Sequence, residues 1–136
     1  MPSIRSRSIW LGAALVVACV VIAVSGGIAW SARQQTERVA RAMTGGDPAR
    51  APGIMRRYGC GGCHTIPGLA GADGQVGPPL TGLVHRVYIG GGANNSPDNL
   101  IRWIVSPQTF APHTAMPATG ITEAEARDVA AYLYAQ

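Results

Sequence analysis

The sequence Cys60-Gly61-Gly62-Cys63-His64 places two thiols and an imidazole within five residues. Two cysteines at this spacing, followed at once by histidine, are typical of a covalent c-type haem attachment site. The thiols can add to the two vinyl groups on one edge of the porphyrin, and the adjacent imidazole can then bind the iron. The two glycines leave the intervening backbone free to pass close to the ring. We therefore expect one covalently attached haem c, with His64 as an axial ligand.

Three other interpretations of this motif remain open at this point. It could be half of a zinc site, although the sequence has no second cysteine pair. It could be a thioredoxin-type redox pair, although no βαβ pattern surrounds it. It could also be a chance match, in a chain with only three cysteines and three histidines.

The second axial ligand would come from a methionine or a histidine elsewhere in the chain. Met116 lies 53 residues after the second cysteine of the motif, in the proline-bounded loop 112–117, which suits a strap across the far face of the ring. His85 and His113 are the alternatives, and Met55 is too close to the motif to do more than pack beside the ring. Methionine–histidine ligation raises the reduction potential relative to two histidines. Two protein ligands also close the iron to substrate, which favours electron transfer over oxygen chemistry.

The elements that must position these residues are predicted to be helical. A first helix is expected from Asp47, a capping residue followed by Pro48, to about Tyr58. Glycine and proline are frequent between residues 65 and 95, and no convincing strand pairs occur there. This region is therefore predicted to be a loop that wraps the haem edge.

Two further helices are predicted towards the end of the chain. Ser96 is expected to cap a helix with one apolar stripe, which Pro107 ends. Thr122 and Glu125 form a capping box that opens the last helix. Its inner face is predicted to comprise Val129, Tyr132 and Leu133. A domain of some ninety residues has a marginal hydrophobic core. We therefore expect the haem to supply much of that core and the haem-free domain to be unfolded.

The chain begins with an apolar segment. Residues 9–30 carry no charge, and a helix of that length spans about 33 Å, enough to cross a bilayer. Trp10 and Trp30 lie at its ends, as is typical of membrane interfaces. A cleaved signal peptide is the alternative, although its apolar core would be shorter. Cys19 is interpreted as a small apolar residue within the span, with lipidation as the alternative.

A polar segment without glycine or proline follows the apolar one and is predicted to continue the helix as a stalk until Gly45-Gly46. A flexible linker is the alternative. The predicted organisation is a cytoplasmic N-terminus at 1–8, a transmembrane anchor helix at 9–30, a helical stalk at 31–45 and a haem domain at 46–136.

Residues 46–136 resemble the class I c-type cytochromes, a family of small helical mono-haem proteins. Beyond the haem motif, the segment 77–83, GPPLTGL, is similar to the family's GPxLxGL. The resemblance implies that the carbonyl of Pro78 accepts a hydrogen bond from the proximal histidine, which fixes its ring orientation. It also implies that Arg86 lies near a buried haem propionate and that Trp103 is the aromatic residue near the methionine ligand.

Within this family, the chain resembles membrane-attached cytochrome c domains that serve haem–copper oxidases. The predicted fold is thus all-α: a small cytochrome c-type haem domain of three main helices with a long haem-wrapping loop, preceded by one transmembrane helix. The predicted function is electron transport, not catalysis. Electrons would pass from a quinol-oxidising complex or another cytochrome to a terminal oxidase. The alternatives are a permanent cytochrome subunit of a larger complex, and a haem enzyme or sensor with an open iron position.

The charge distribution separates the two parts of the chain. The formal net charge is +4, and every basic residue is arginine. Residues 1–44 hold five arginines and one glutamate, whereas residues 45–136 hold six arginines and six acidic residues. The excess therefore lies beside the predicted span, where it can meet anionic lipid. The sequence has no arginine cluster with interleaved aromatics, so nothing in it indicates nucleic-acid binding. Because haem c is assembled outside the bacterial cytoplasm, the expected location is the inner membrane with the haem domain in the periplasm.

Overall fold

The computed structural model describes the backbone of residues 4–136 and the side chains of residues 10–136. The fold is mostly helical, as predicted. The chain divides into two compact units, Met1–Gln35 and Thr36–Gln136, and each is described by itself.

Helix α1 spans Ile4–Thr44 without interruption. Its apolar side chains in the first unit are exposed, Ile22 to 72% and Trp30 to 68%. By length and composition this is a helix that could cross a membrane, which agrees with the predicted transmembrane segment. The helix also continues through the predicted stalk and ends just before Gly45, whose φ of 71° is a left-handed conformation that favours glycine. Residues 1–3 of the predicted cytoplasmic N-terminus lie outside the described residues.

The last turns of α1 belong to the second unit and are held by its other residues. The side chains of Ala40 and Thr44 are each only 1% exposed. Nη1 of Arg127 donates to the carbonyl oxygen of Thr44 at 3.0 Å, which satisfies one of the free carbonyls at the end of the helix. Arg41 forms a 2.7 Å ion pair with Asp47 just beyond that end. The end of the predicted stalk is therefore part of the second unit.

Three main helices and several short elements make up the rest of the second unit. The main helices are α2 (Ala51–Arg57), α4 (Pro97–Val105) and α5 (Glu123–Tyr134). The short elements include the one-turn helix α3 (Cys60–Cys63) and 3₁₀ turns at Leu83–His85 and Pro107–Thr109. Helix α5 packs against both α2 and α4. The predicted all-α fold with three main helices is confirmed.

The core lies where α5 meets its two neighbours. Met55 of α2 and Ala130 of α5 are completely buried, and Leu100 of α4 and Leu133 of α5 are each 2% exposed. Val129, Tyr132 and Leu133 are all buried, so the predicted inner face of the last helix is confirmed. Small alanines at the contacts of α5 let the helices approach closely.

Both predicted caps of the later helices are present. The side chain of Ser96 accepts the backbone N–H of Asn99 at the start of α4. Thr122 and Glu125 form the complete capping box of α5. These signals are local, and each satisfies backbone donors that have no partner within the helix.

The predicted start of the first helix at Asp47 is wrong, because α2 begins only at Ala51. The carboxylate of Asp47 accepts the N–H of Ala49 within a turn, and its own N–H donates to Oδ1 of Asp128 at 2.6 Å. Asp47 therefore joins this turn to α5 and does not cap a helix. Pro52 lies in the first turn of α2, where its missing N–H is not needed.

The expectation that residues 65–95 contain no strand pair is also wrong. Strands β1 (Tyr88–Ile89) and β2 (Ala93–Asn94) form a two-residue antiparallel ladder. Gly90, Gly91 and Gly92 join them, all with positive φ. Since only glycine adopts such angles at little cost, three consecutive glycines permit a hairpin too short to show an alternating pattern.

A hydrogen-bonded group around Glu125 joins α5 to the end of α2. The carboxylate accepts from Tyr58 Oη at 2.8 Å and from Arg57 Nη2 at 2.8 Å. The backbone N–H of Thr122, followed by the Tyr58 hydroxyl, holds the pKa of Glu125 below its usual 4.5. The same hydrogen bond to Glu125 raises the pKa of Tyr58 above 10.0.

From the hydrogen bonds around Glu125 we expect two pH-dependent contributions to the stability of the second unit. The lowered pKa of Glu125 stabilises the fold above about pH 4.5, and this contribution is lost as pH falls through the folded pKa. The raised pKa of Tyr58 stabilises the fold below about pH 10, and this contribution is lost as pH rises through its folded value. We expect Glu125→Gln to weaken the pH dependence of the free energy of unfolding, measured with urea, at both the acid and the alkaline end. Glu123→Gln is the control: it removes an exposed carboxylate from the same turn and should leave the alkaline pH dependence intact. An unaltered alkaline pH dependence in Glu125→Gln would contradict this prediction.

Candidate functional site

A cleft of about 650 Å³ lies in the second unit, within the roughly 300–1,000 Å³ typical of small-molecule and cofactor sites. Its wall is built from α3, one face of α4, the loop 76–91 and the loop 111–119. Most lining side chains are apolar, including Leu83, Ile104 and Leu133. Cys60, Cys63, His64 and Met116 all line it, together with Pro78, Arg86 and Trp103. Residues separated by up to 56 positions in the sequence thus share one cavity.

The two cysteines form the ends of the short helix α3. Gly59 precedes them with a φ of 71°, which turns the chain from α2 into the new helix direction. Both thiols are free and partly buried, and burial raises the pKa of the Cys60 thiol. Gly61 packs so tightly on Ala72 that an added Cβ would lie 2.8 Å from the Ala72 Cβ. The helix therefore presents both sulfurs to one cleft.

The imidazole of His64 is oriented by the GPPLTGL segment. Its Nδ1 lies 2.8 Å from the carbonyl oxygen of Pro78. Because a carbonyl oxygen only accepts, Nδ1 donates, and Nε2 is left as the ring atom able to bind a metal ion. Gly77 makes room for the ring, since a Cβ there would lie 2.3 Å from Cε1 of His64.

We predict that Gly77→Ala displaces the imidazole and weakens its bond to Pro78. Relief of such an overlap typically costs about 1–3 kcal/mol, so the domain should melt several degrees lower and retain less haem per protein. Gly62→Ala is the matched control, because a Cβ at Gly62 meets nothing within 4 Å. Thermal unfolding and the ratio of haem to protein absorbance measure both effects. Equal melting of the two variants would contradict the prediction.

Met116 lies in the loop 111–119, which also lines the cleft. Both backbone groups of Met116 are hydrogen-bonded. Nε2 of Gln108 donates to its carbonyl oxygen at 2.9 Å, and its N–H donates to Thr114 Oγ1 at 3.2 Å. Its side chain is partly buried. These bonds hold the backbone of the predicted ligand in place without using the thioether.

The rival ligands differ in position. His113 and His85 are both exposed, but of the two only His113 lines the cleft. Met55 was expected to pack beside the ring, but it is fully buried in the core and lies outside the cleft lining. The cleft therefore offers Met116 and His113 as partners for His64.

Arg86 and Trp103 occupy different parts of the wall. The guanidinium of Arg86 donates to the carbonyls of Pro79 and Thr81, so it also braces the loop after His64. Trp103 is half-buried and packs against Phe110, with ring centroids 6.1 Å apart. A Cβ at Gly90 would lie 2.2 Å from the Trp103 ring, so the glycine hairpin makes room for the indole.

Sequence reasoning missed three features of this site. Tyr58, which lines the cleft and bonds to Glu125, carried no motif. The role of Gly77 as space for the imidazole was not inferred, although its place beside Pro78 was a signal. Asn95, whose side-chain amide donates to the carbonyls of Leu83 and Arg86, carried no local signal at all.

The residues present fit a haem. An apolar cleft of cofactor size holds two adjacent thiols, an imidazole with its Nε2 available, a thioether and a guanidinium. These groups are the attachment points, metal ligands and counter-charge that a haem with two vinyl groups, an iron and propionates would require.

Comparison with known proteins agrees with this fit. The profile of the family described as Cytochrome c matches residues 48–135. Cytochrome c oxidase subunit 2 of Alkalihalophilus pseudofirmus is 32% identical over 81 residues, which are 59% of this chain and 23% of that protein. The chain thus spans about a quarter of the length of this relative. No solved structure matches the chain.

The family profile covers well over half of the chain and includes every residue that lines the cleft. The protein therefore belongs to the cytochrome c family and carries a haem-binding, electron-transfer domain behind one N-terminal apolar helix.

Proposed function

We propose that this protein is a membrane-anchored mono-haem cytochrome c that carries single electrons from a quinol-oxidising complex, or another cytochrome, to a terminal oxidase. The observation that carries the proposal is the convergence of Cys60, Cys63, His64 and Met116 on one apolar cleft. The similarity to an oxidase subunit supports the acceptor. The apolar α1 supports the anchor.

The proposed roles of the residues follow from their positions. Cys60 and Cys63 would hold the haem through their thiols, and His64 and Met116 would bind its iron. The haem would supply a one-electron store, because its iron is stable as Fe(II) and Fe(III). The Pro78 carbonyl keeps the His64 ring in one orientation, which limits reorganisation when the charge changes.

We further propose that the N-terminus is cytoplasmic and the haem domain periplasmic in a bacterial inner membrane. Covalent haem attachment takes place outside the cytoplasm, and the proposed haem domain follows the apolar helix α1. The arginines of residues 1–44 then lie near lipid headgroups on both sides of the span. A protease added to the outside of spheroplasts should digest the haem domain, whereas protection of that domain would contradict the orientation.

Tethering is proposed to replace electrostatic steering. Residues 45–136 have equal numbers of acidic and basic residues and no lysine, so this domain lacks the net charge that accelerates encounter of soluble partners. An anchor instead raises the effective concentration of the haem domain near its partner.

The test uses the full-length protein reconstituted with a haem–copper oxidase in the same vesicles. Oxygen consumption with a reductant that feeds the cytochrome should require the haem domain and should change little between low and high salt. No oxygen consumption above that of the oxidase alone would overturn the proposed acceptor. A steep fall with salt would contradict tethering while leaving electron transfer intact.

A permanent subunit of a larger oxidoreductase complex is the second candidate function. It is favoured by the relative, which is itself named as an oxidase subunit. Purification in a mild detergent distinguishes the two. A stoichiometric complex with other subunits supports the second candidate, and a lone haem protein supports the mobile carrier.

A further inference from the structure

Asn95 lies outside the cleft lining, yet its side chain bonds to the backbone of the residue that carries the charge of the cleft. Nδ2 donates to the carbonyl oxygens of Leu83 at 2.8 Å and Arg86 at 2.9 Å. Its backbone N–H donates to the carbonyl of Val87 at 2.9 Å. One residue thus holds the backbone on both sides of Arg86.

The third partner of the Asn95 amide comes from the last helix. Oδ1 accepts the hydroxyl of Tyr134 at 2.7 Å, and Tyr134 is only 5% exposed. The orientation of the amide is fixed by this arrangement, since the two carbonyls can only accept and therefore require the NH₂ group. The amide connects the Arg86 turn to α5, which packs on both other main helices.

Arg86 supplies a permanent positive charge to the lining of the cleft. Among the lining residues in the described part of the chain, it alone carries a permanent charge. A fixed positive charge on the wall of an apolar cavity favours the form of a bound redox centre that has one more electron, because attraction is stronger where water is scarce. The position of the guanidinium would therefore set part of the reduction potential of a haem held there.

We propose that Asn95, supported by Tyr134, is a positioning residue that fixes the backbone of Arg86 at the wall of the cleft and thereby raises the reduction potential of the haem. The proposal rests on the proposed electron-transfer function, but it concerns the equilibrium potential and is independent of which donor or acceptor the protein uses. Failure of the oxidase assay would leave it standing, and its own failure would leave electron transfer standing.

The experiment is a double-mutant cycle on the full-length haem protein, with the midpoint potential measured by optical redox titration. Asn95→Ala should lower the potential when Arg86 is present and should have little effect in an Arg86→Gln background, because the charge it positions is gone. Asn99→Ala is the matched control: its amide donates only to the carbonyl of Asn94, and its potential should equal that of the unaltered protein.

A merely structural role gives a different result. If Asn95→Ala shifts the potential equally in both backgrounds, or shifts it in neither, the proposal is overturned, even if the variant melts at a lower temperature. If Asn95→Ala yields no haem protein, Tyr134→Phe in the same two backgrounds decides by the same criteria. That variant removes one hydroxyl and should give a smaller shift of the same sign, again only when Arg86 is present.

Discussion

The Cys60→Ala/Cys63→Ala double variant is expected to contain no covalently bound haem and to lose cooperative unfolding. The cleft has a volume of about 650 Å³. Without a haem the apolar lining of the cleft would face water, and the burial of each large apolar side chain there, worth about 1.5–3 kcal/mol, would be lost. Whole domains are stable by only about 5–15 kcal/mol. The haem-free domain should therefore collapse or unfold.

The position of the cleft explains why the effect is global. Its lining includes Leu100 and Ile104 of α4 and Leu133 of α5, and these residues also belong to the hydrophobic core. The cleft wall and the core are thus formed by the same side chains. Loss of the group that fills the cleft removes packing from both helices at once.

The measurement is circular dichroism during urea unfolding, together with haem absorbance after denaturing electrophoresis. Cys19→Ala is the matched control, because Cys19 is the remaining cysteine and lies exposed on α1. It should keep both the haem and the unfolding transition. A cooperative, native-like transition in the haem-free double variant would contradict the prediction.

The features predicted correctly from the sequence depend on neighbouring residues. The caps at Ser96 and Thr122 each involve a partner three residues away, so the pattern alone contains the whole interaction. The segment Cys60–His64, whose cysteines and histidine line the cleft, is equally compact. The break of α1 before Gly45 follows from the conformational freedom of a single residue type.

The features that were missed depend on contacts between distant parts of the chain. Asp47 has the right type for a helix cap, but it is engaged by Asp128, which lies 81 residues further on. Asn95 bonds to Tyr134, 39 residues away. Neither partner can be inferred from local spacing. A resemblance to a family identified Pro78 and Arg86, but it did not supply the residues that hold them in place.

The choice between an electron carrier and a haem protein with an open iron position depends on Met116. We expect Met116→Ala to remove the sulfur ligand. The far-red methionine-to-iron charge-transfer band of the oxidised protein should then disappear, and the reduced protein should bind carbon monoxide. Axial ligands tune haem potentials over a range of about 0.8 V. Loss of the thioether, which favours Fe(II), should therefore lower the midpoint potential by on the order of 0.1–0.3 V.

The alternative ligand supplies the matched control. His113 lies on the same loop and lines the same cleft, so His113→Ala truncates a second side chain of that loop while keeping the thioether. It should keep the far-red band and remain unreactive to carbon monoxide. If the band survives in Met116→Ala, or if His113→Ala is the variant that opens the iron, Met116 is not the ligand. If the unaltered protein already binds carbon monoxide, the iron has an open position and the carrier function is contradicted.

The Gln108 bond to the Met116 carbonyl does not involve the thioether and remains available after truncation to alanine. A change confined to the spectrum and the potential, with the fold retained, would therefore indicate that the sulfur itself binds the iron.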